Sequence, residues 1–180
     1  MTGRADVLSR SLAPYLGRGE AWLEIGAGSG LVARALQEAS GARLTLVDVV
    51  DYNQSGLPLQ TYDGLHLPYA DNTFDHSLFL FVLHHTPDPL PVLREALRVS
   101  RRSVLVVENS VEGAVRQRLT RAIDSIPHLR YGVPICYRAQ SAKAWQSLFE
   151  QLPVRTEMLG RFQMNGGFWQ NVVLRLHKLS

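Results

Sequence analysis

Gly26, Gly28 and Gly30 stand at alternate positions directly after a short apolar run, Ala21-Trp22-Leu23-Glu24-Ile25. Glycine serves where the backbone must turn tightly or lie against a ligand, because a Cβ would clash there. Leu31 opens a helix-periodic stretch, so the turn feeds a helix N-terminus with free N–H groups and a partial positive charge. Strand, glycine turn and helix start together make a pocket for a nucleotide-type cofactor at the carboxyl end of the strand. The spacing is G-x-G-x-G, not the G-x-G-x-x-G of a dinucleotide fingerprint. Asp48 ends the next apolar strand about 20 residues on, where ribose-binding acids sit in such folds. An acid there is also an ordinary helix cap or turn former. The two signals in register favour cofactor binding over chance turns.

The elements that must position these residues follow from periodicity. Val7, Leu8, Leu12 and Leu16 recur at helical spacing and predict an amphipathic helix that Pro14 ends or bends. Strands are predicted over 21–25 and 43–47, with a helix over 31–39 between them, its Leu31, Ala35 and Leu36 facing inward and Gly41 as its stop. Residues 51–58 are polar and too few for a full crossover helix, so a short third strand near 59–61 is reached by a loop or a single turn. Residues 74–80 form an apolar strand that runs on into a loop over 81–83. Pro87-Asp88-Pro89 opens a helix through Leu93, Ala96, Leu97 and Val99. Residues 103–108 are a β-branched run and the clearest strand of all. A helix over 113–126, a loop over 127–138 and a helix over 141–152 with Ser141 as N-cap come next. Two closing strands over 154–159 and 168–177 are joined by a hairpin turn, Asn165-Gly166-Gly167. Alternating strands and helices up to Glu108 imply a mostly parallel sheet with helices on both faces.

Size and composition bound the function. The chain has 180 residues, which suits one domain, 1–180, with one core. At 46% hydrophobic and 19% charged it reads as soluble and globular. No apolar run is long enough to span a bilayer, and no signal-peptide core follows Met1, so a cytoplasmic setting is expected. The single cysteine, Cys136, excludes an internal disulfide and any C-x-x-C metal or redox motif. A net charge of +3 does not imply nucleic acid. The basic clusters Arg101-Arg102 and Arg116, Arg118, Arg121 read as solvated surface, which makes a nucleic-acid partner unlikely.

Glu24-Ile25-Gly26-Ala27-Gly28-Ser29-Gly30 resembles the first motif of class I S-adenosylmethionine-dependent methyltransferases. Leu67-Pro68-Tyr69-Ala70-Asp71-Asn72-Thr73-Phe74-Asp75 is similar to the "LPF-x-D-x-SFD" segment of the branch that includes the ubiquinone and menaquinone biosynthesis methyltransferases. Leu83-His84-His85-Thr86-Pro87-Asp88 and Leu93-Arg94-Glu95-Ala96-Leu97-Arg98-Val99 continue that pattern in order. The likeness is good over 16–108, faint over 137–149 and absent between. It departs in lacking a helix after the second strand. A second departure is Ser100-Arg101-Arg102-Ser103, which stands where the family has a "K-P-G-G" turn.

The resemblance implies a three-layer, doubly wound α/β fold of Rossmann-like type, with a mostly parallel sheet and an antiparallel last strand. It implies S-adenosyl-L-methionine as cofactor. Glu24 would lie near its methionine amino end, and Gly26, Gly28 and Gly30 would line its backbone path. Asp48 would accept from the ribose hydroxyls, with Val49 beside the adenine. Asp63 would accept from the adenine amino group, with Gly64 and Leu65 against the ring, although Tyr62-Asp63-Gly64 alone reads as a turn. Phe79 and Leu80 would touch the methionine part, and His84 and His85 would face the acceptor.

Methyl transfer from a sulfonium is an in-line displacement with a good leaving group, so alignment and exclusion of water carry most of the catalysis. A base is needed only where the nucleophile must lose a proton, and His84 and His85 are the catalytic candidates. The alternative is that one packs on the sheet while the other bonds a loop. No metal is expected, since adjacent histidines do not share a helix face and H-E-x-x-H is absent. Asp75 reads as a structural brace before the fourth strand. Residues 127–137, with Phe162, Phe168 and Trp169, could wall an apolar pocket for a small-molecule acceptor, and a substrate-facing insert over 109–140 is where acceptor choice is expected. Two other readings compete: a non-catalytic S-adenosylmethionine-binding protein, and a nicotinamide-dependent oxidoreductase, which should show G-x-G-x-x-G.

Overall fold

In the computed structural model, which describes residues 3–111, 140–164 and 169–179, a seven-stranded sheet runs in the order β3-β2-β1-β4-β5-β7-β6. The strands are β1 (Ala21–Ile25), β2 (Arg43–Asp48), β3 (Leu59–Thr61), β4 (Phe74–Leu80), β5 (Ser100–Ser110), β6 (Val154–Met164) and β7 (Trp169–Lys178). β1 to β5 pair in parallel, and β7 is antiparallel to both of its neighbours. The helices are α1 (Arg4–Leu12), α2 (Leu31–Ser40), α3 (Pro89–Val99) and α4 (Ala142–Phe149). Chain order reverses direction across the sheet between β1 and β4, which opens a crevice at their carboxyl ends.

The central strands are buried on both faces, as parallel strands under helices must be. Side-chain alternation splits the core into two layers. Leu23, Ile25, Val47, Phe79, Val104, Val106 and Val172 pack with the inner faces of α3 and α4 (Val92, Leu93, Ala96, Trp145, Phe149). Trp22, Leu44, Leu46, Leu78, Leu105, Val107 and Val173 pack on the other face with Leu8, Leu12, Ala33 and Leu36 of α1 and α2. Each large side chain so buried stabilises the fold by roughly 1.5–3 kcal/mol.

Local chemistry sets the boundaries. α1 stops at Leu12, and Pro14 lies in a 3-10 turn, Ala13–Tyr15. Asp88 caps α3 by accepting from Leu90 N at 3.1 Å, with Pro89 at the first helical position. Ser141 caps α4 through Ala144 N at 3.2 Å. The segment similar to the quinone methyltransferases is held by Arg98, whose guanidinium donates to the carbonyls of Leu67 and Tyr69 and pairs with Asp71 and Glu95. That motif is therefore a clasp joining the loop before β4 to α3. Asp75 braces β1, accepting from Ala21 N at 2.9 Å. Arg101 and Arg102, exposed at the start of β5, are paired with Asp75 and Glu20.

Three expectations are corrected. Leu31 does not face inward: the chain enters α2 through a left-handed Gly30, and Ala33 and Leu36 take the inner face while Leu31 is exposed. The strand expected over 103–108 is longer, and Ser100-Arg101-Arg102-Ser103 belongs to it. β5 begins at Ser100 directly after α3, and the ladder to β4 absorbs the change by a register shift between Phe74 and His76. β6 runs on to Met164, well past residue 159, because it pairs with β7 along its whole length. The helix over 113–126, the loop over 127–138, the hairpin turn Asn165-Gly166-Gly167, Cys136, Phe168, Arg116, Arg118 and Arg121 lie outside the described residues. So does the insert over 109–140 between 112 and 139. Among the described residues no helix is long and apolar enough to cross a membrane.

Asn171 of β7 is fully buried, and neither atom of its amide has a hydrogen-bond partner. Leaving such groups unsatisfied costs about 1–3 kcal/mol. Asn171→Leu, close in volume, is therefore expected to raise the melting temperature by a few degrees in thermal unfolding. A fall would show that the amide is satisfied in solution.

Candidate active site

The crevice at the carboxyl ends of β1, β2 and β4 is built around the glycine turn. Gly26 has φ +76°, and a Cβ there would lie 2.5 Å from Val82 Cγ2, so only glycine lets the loop after β4 pack against the turn. Gly28 has φ +56°, and a Cβ there would meet no atom within 4 Å, which leaves its face open. The turn is tied to the end of β2: Gly26 N donates to Val47 O at 2.8 Å, and Gly28 N donates to Asp48 Oδ2 at 2.7 Å. Asp48 Oδ1 accepts from Val49 N at 2.7 Å. Each carboxylate oxygen has two acceptor sites, so Asp48 retains capacity toward a ligand.

Glu24, the second acid at these tips, is almost fully buried, and its Oε2 has no hydrogen-bond partner. Burial pushes its carboxyl up to about 8, and the negative charge of Asp48 adds to the shift. A buried acid in this state awaits a cationic or donor group.

The strip implied for the adenine also assembles. Gly64, at φ +86°, approaches Val49, since a Cβ there would lie 3.3 Å from Val49 Cγ1. Val49 and Leu65 are exposed apolar side chains flanking it. Tyr62 packs against the α3-side core, its hydroxyl pushed up to about 12 by burial and by Asp48 and Asp63. Asp63 anchors the turn: Oδ1 accepts from Leu65 N and His66 N at 2.8 and 2.6 Å, and Oδ2 meets His66 Nδ1 at 2.8 Å. These bonds, the His66 main chain first, hold its carboxyl down at about 2. Asp63 thus has the turn role that its sequence context allowed.

At the end of β4, Phe79 is fully buried in the α3 layer, so any contact it makes with a ligand falls to its main chain. Leu80 is buried against the α1 layer. Phe81 takes φ +59°, uncommon for a side chain of its size, and its N–H donates to Val107 O at 2.9 Å. A 3-10 turn, Leu83–His85, follows. His84 is buried, its Nδ1 2.6 Å from Glu108 Oε2, and the other oxygen of Glu108 accepts from Leu83 N at 2.7 Å. The His85 ring lies tilted against that of His84 with centroids 3.9 Å apart. Glu108 was not among the residues singled out from sequence. Its signal was an acid closing an otherwise apolar strand, the same signal that marks Asp48. Among the described residues no group of three or more His, Cys, Asp or Glu is placed to hold a metal ion.

A sheet of this order, with a glycine turn after its first strand and an acid at the tip of its second, defines the class I methyltransferase architecture. A family model described as a methyltransferase domain matches residues 23–107. The chain is 30% identical over 172 residues to the demethylmenaquinone methyltransferase of Corynebacterium urealyticum, an alignment covering 87% of this chain and 70% of that protein. It is 27% identical over 183 residues to the enzyme of the same name from Corynebacterium kroppenstedtii, covering 90% and 76%. The chain belongs to the S-adenosylmethionine-dependent methyltransferase family.

Solved structures share the fold. The YcgJ protein of Bacillus subtilis superposes with a TM-score of 0.75 at 16% identity, covering 97% of this chain and 99% of that one. The Burkholderia thailandensis 1,6-didemethyltoxoflavin-N1-methyltransferase, solved with 1,6-didemethyltoxoflavin and S-adenosylhomocysteine, gives a TM-score of 0.71 at 16% identity, covering 98% and 78%.

Proposed function

We propose that this methyltransferase acts on a small-molecule acceptor, and that the acceptor is a hydroxylated aromatic ring of the reduced naphthoquinone class. The observation that carries the donor side is Glu24: a buried carboxyl with an orphaned oxygen, beside an open glycine face and a second acid. This donor set fits S-adenosylmethionine. The relatives named for demethylmenaquinone support the acceptor class.

When bound, S-adenosylmethionine supplies an activated methyl group and a thioether leaving group. Glu24 takes its ammonium, Asp48 its ribose hydroxyls, and Val49, Gly64 and Leu65 the adenine. The glycine turn supplies main-chain N–H groups without side chains in the way. Phe79 and Leu80 back the methionine end through main chain and packing. His84 accepts the proton from the acceptor hydroxyl, which raises electron density on the ring, and His85 buttresses its ring. Holding donor and acceptor in line contributes up to roughly 7–11 kcal/mol toward the barrier.

Calorimetry with S-adenosylmethionine, S-adenosylhomocysteine and NAD tests the donor. Micromolar binding of both sulfur compounds is expected, and binding of NAD alone would end this reading. Transfer of labelled methyl to reduced demethylmenaquinone tests the acceptor. Tight cofactor binding with no transfer to that quinol, but transfer to another component of a metabolite extract, would replace the acceptor while keeping the enzyme.

A further inference from the structure

We infer that Glu108 is a positioning residue that fixes the tautomer of His84, leaving Nε2 as the basic nitrogen. The inference rests on the reading of His84 as the proton acceptor and adds the group that makes it one. Glu108 lies near the carboxyl end of β5 with its side chain fully buried, and its carboxylate bridges to the turn that follows β4. One oxygen holds the main chain of that turn through Leu83 N at 2.7 Å, and the other holds the ring through His84 Nδ1 at 2.6 Å. The main-chain N–H can only donate, so Oε1 is committed as an acceptor. An ionised carboxylate is acceptor-only at both oxygens, which places the hydrogen on Nδ1 and the lone pair on Nε2. The His85 ring, 3.9 Å away between centroids, limits rotation from a second side.

Stability alone does not account for the pair. A buried carboxylate and imidazole gain little over apolar residues of the same volume, because both must leave water. Partners of this kind orient an imidazole and select its tautomer, and their loss lowers activity by up to about 10,000-fold where the imidazole is the base. Glu108 touches no reacting atom in this scheme. It acts through His84.

The test uses a near-isosteric change with a defined consequence. In Glu108→Gln the amide oxygen must still meet Leu83 N, because an amide NH2 cannot accept there. The NH2 then faces His84 Nδ1 and can only donate to it. The ring is forced to carry its hydrogen on Nε2, and the tautomer inverts while shape and burial persist. Nitrogen-15 NMR of the ligand-free, full-length chain labelled at histidine reads this directly. Wild type is expected to show the Nδ1–H form at His84, and Glu108→Gln the Nε2–H form. With reduced demethylmenaquinone as acceptor, kcat is expected to fall about 100-fold in Glu108→Gln, with KM and the affinity for S-adenosylmethionine within twofold of wild type. An Nε2–H ring in wild type overturns the inference without any variant, and so does an unchanged tautomer in Glu108→Gln. If the tautomer behaves as stated but His84→Gln retains full activity, the base reading of His84 fails instead, and the two failures are thereby distinguished.

Discussion

Asp48→Ala is expected to weaken S-adenosylmethionine binding by at least tenfold, measured by calorimetry at neutral pH. Two losses combine. The carboxylate no longer meets the ribose, and a hydrogen bond to a charged group is worth about 1.5–3 kcal/mol, where 1.4 kcal/mol is tenfold. The glycine turn also loses its anchor, since Asp48 Oδ2 accepts from Gly28 N at 2.7 Å. Asp48→Asn separates the two effects. Its single amide oxygen can satisfy either Gly28 N or Val49 N, which approach different oxygens of Asp48 in the native chain. An intermediate loss is therefore expected for Asn. Thermal unfolding of both variants keeps loss of binding apart from loss of fold. Unchanged affinity in a folded Asp48→Ala would move the sugar-binding acid elsewhere, with Asp51 the next candidate.

The fold was legible where one physical signal dominated. The β-branched run of β5 and the apolar run of β4 announce buried parallel strands, and Pro89 and Ser141 announce helix starts. The mostly parallel sheet with helices on both faces followed from alternation of strands and helices, and the antiparallel last strand from family resemblance. What sequence did not show is instructive. Leu31 has the right residue type for the core, but an inward position depends on the angle at which Gly30 launches the helix, and periodicity carries no angle. The fifth strand was read from Ser103, where its β-branched run begins, and the polar Ser100-Arg101-Arg102 before it gave no strand signal. Here the two guanidinium groups reach Asp75 and Glu20 from the strand's start, contacts that only the folded chain brings together. The candidate site was legible at the glycines and Asp48, where backbone conformation and local spacing carry the signal. Glu108 was not, because its partner lies 24 residues away on another strand's loop, and only tertiary packing brings the two together.

Glu24→Gln is expected to remove the largest pH dependence that the described residues carry. Burial first, and then the charge of Asp48, raise the Glu24 carboxyl from 4.5 to about 8 in the folded chain. Between those values the folded state holds a proton that the unfolded state has released. Stability from this group is thus complete below pH 4.5 and is lost as pH rises toward and through 8. The full excursion amounts to roughly 3–5 kcal/mol, on the order of 10 °C in melting temperature for a chain of this size. Gln keeps the shape and cannot ionise. The variant should therefore melt near wild type at pH 5 and well above it at pH 9. Cofactor binding shows the other side of the same balance. At pH 7 the Glu24 carboxyl is neutral before binding, and pairing with the ligand ammonium requires its anion, so binding should release close to one proton. Binding enthalpies in buffers of different ionisation enthalpy would then diverge for wild type and coincide for Glu24→Gln. Buffer-independent enthalpies in wild type would place the ammonium away from Glu24. Parallel melting curves for wild type and variant from pH 5 to 9 would show that water reaches this carboxyl in solution.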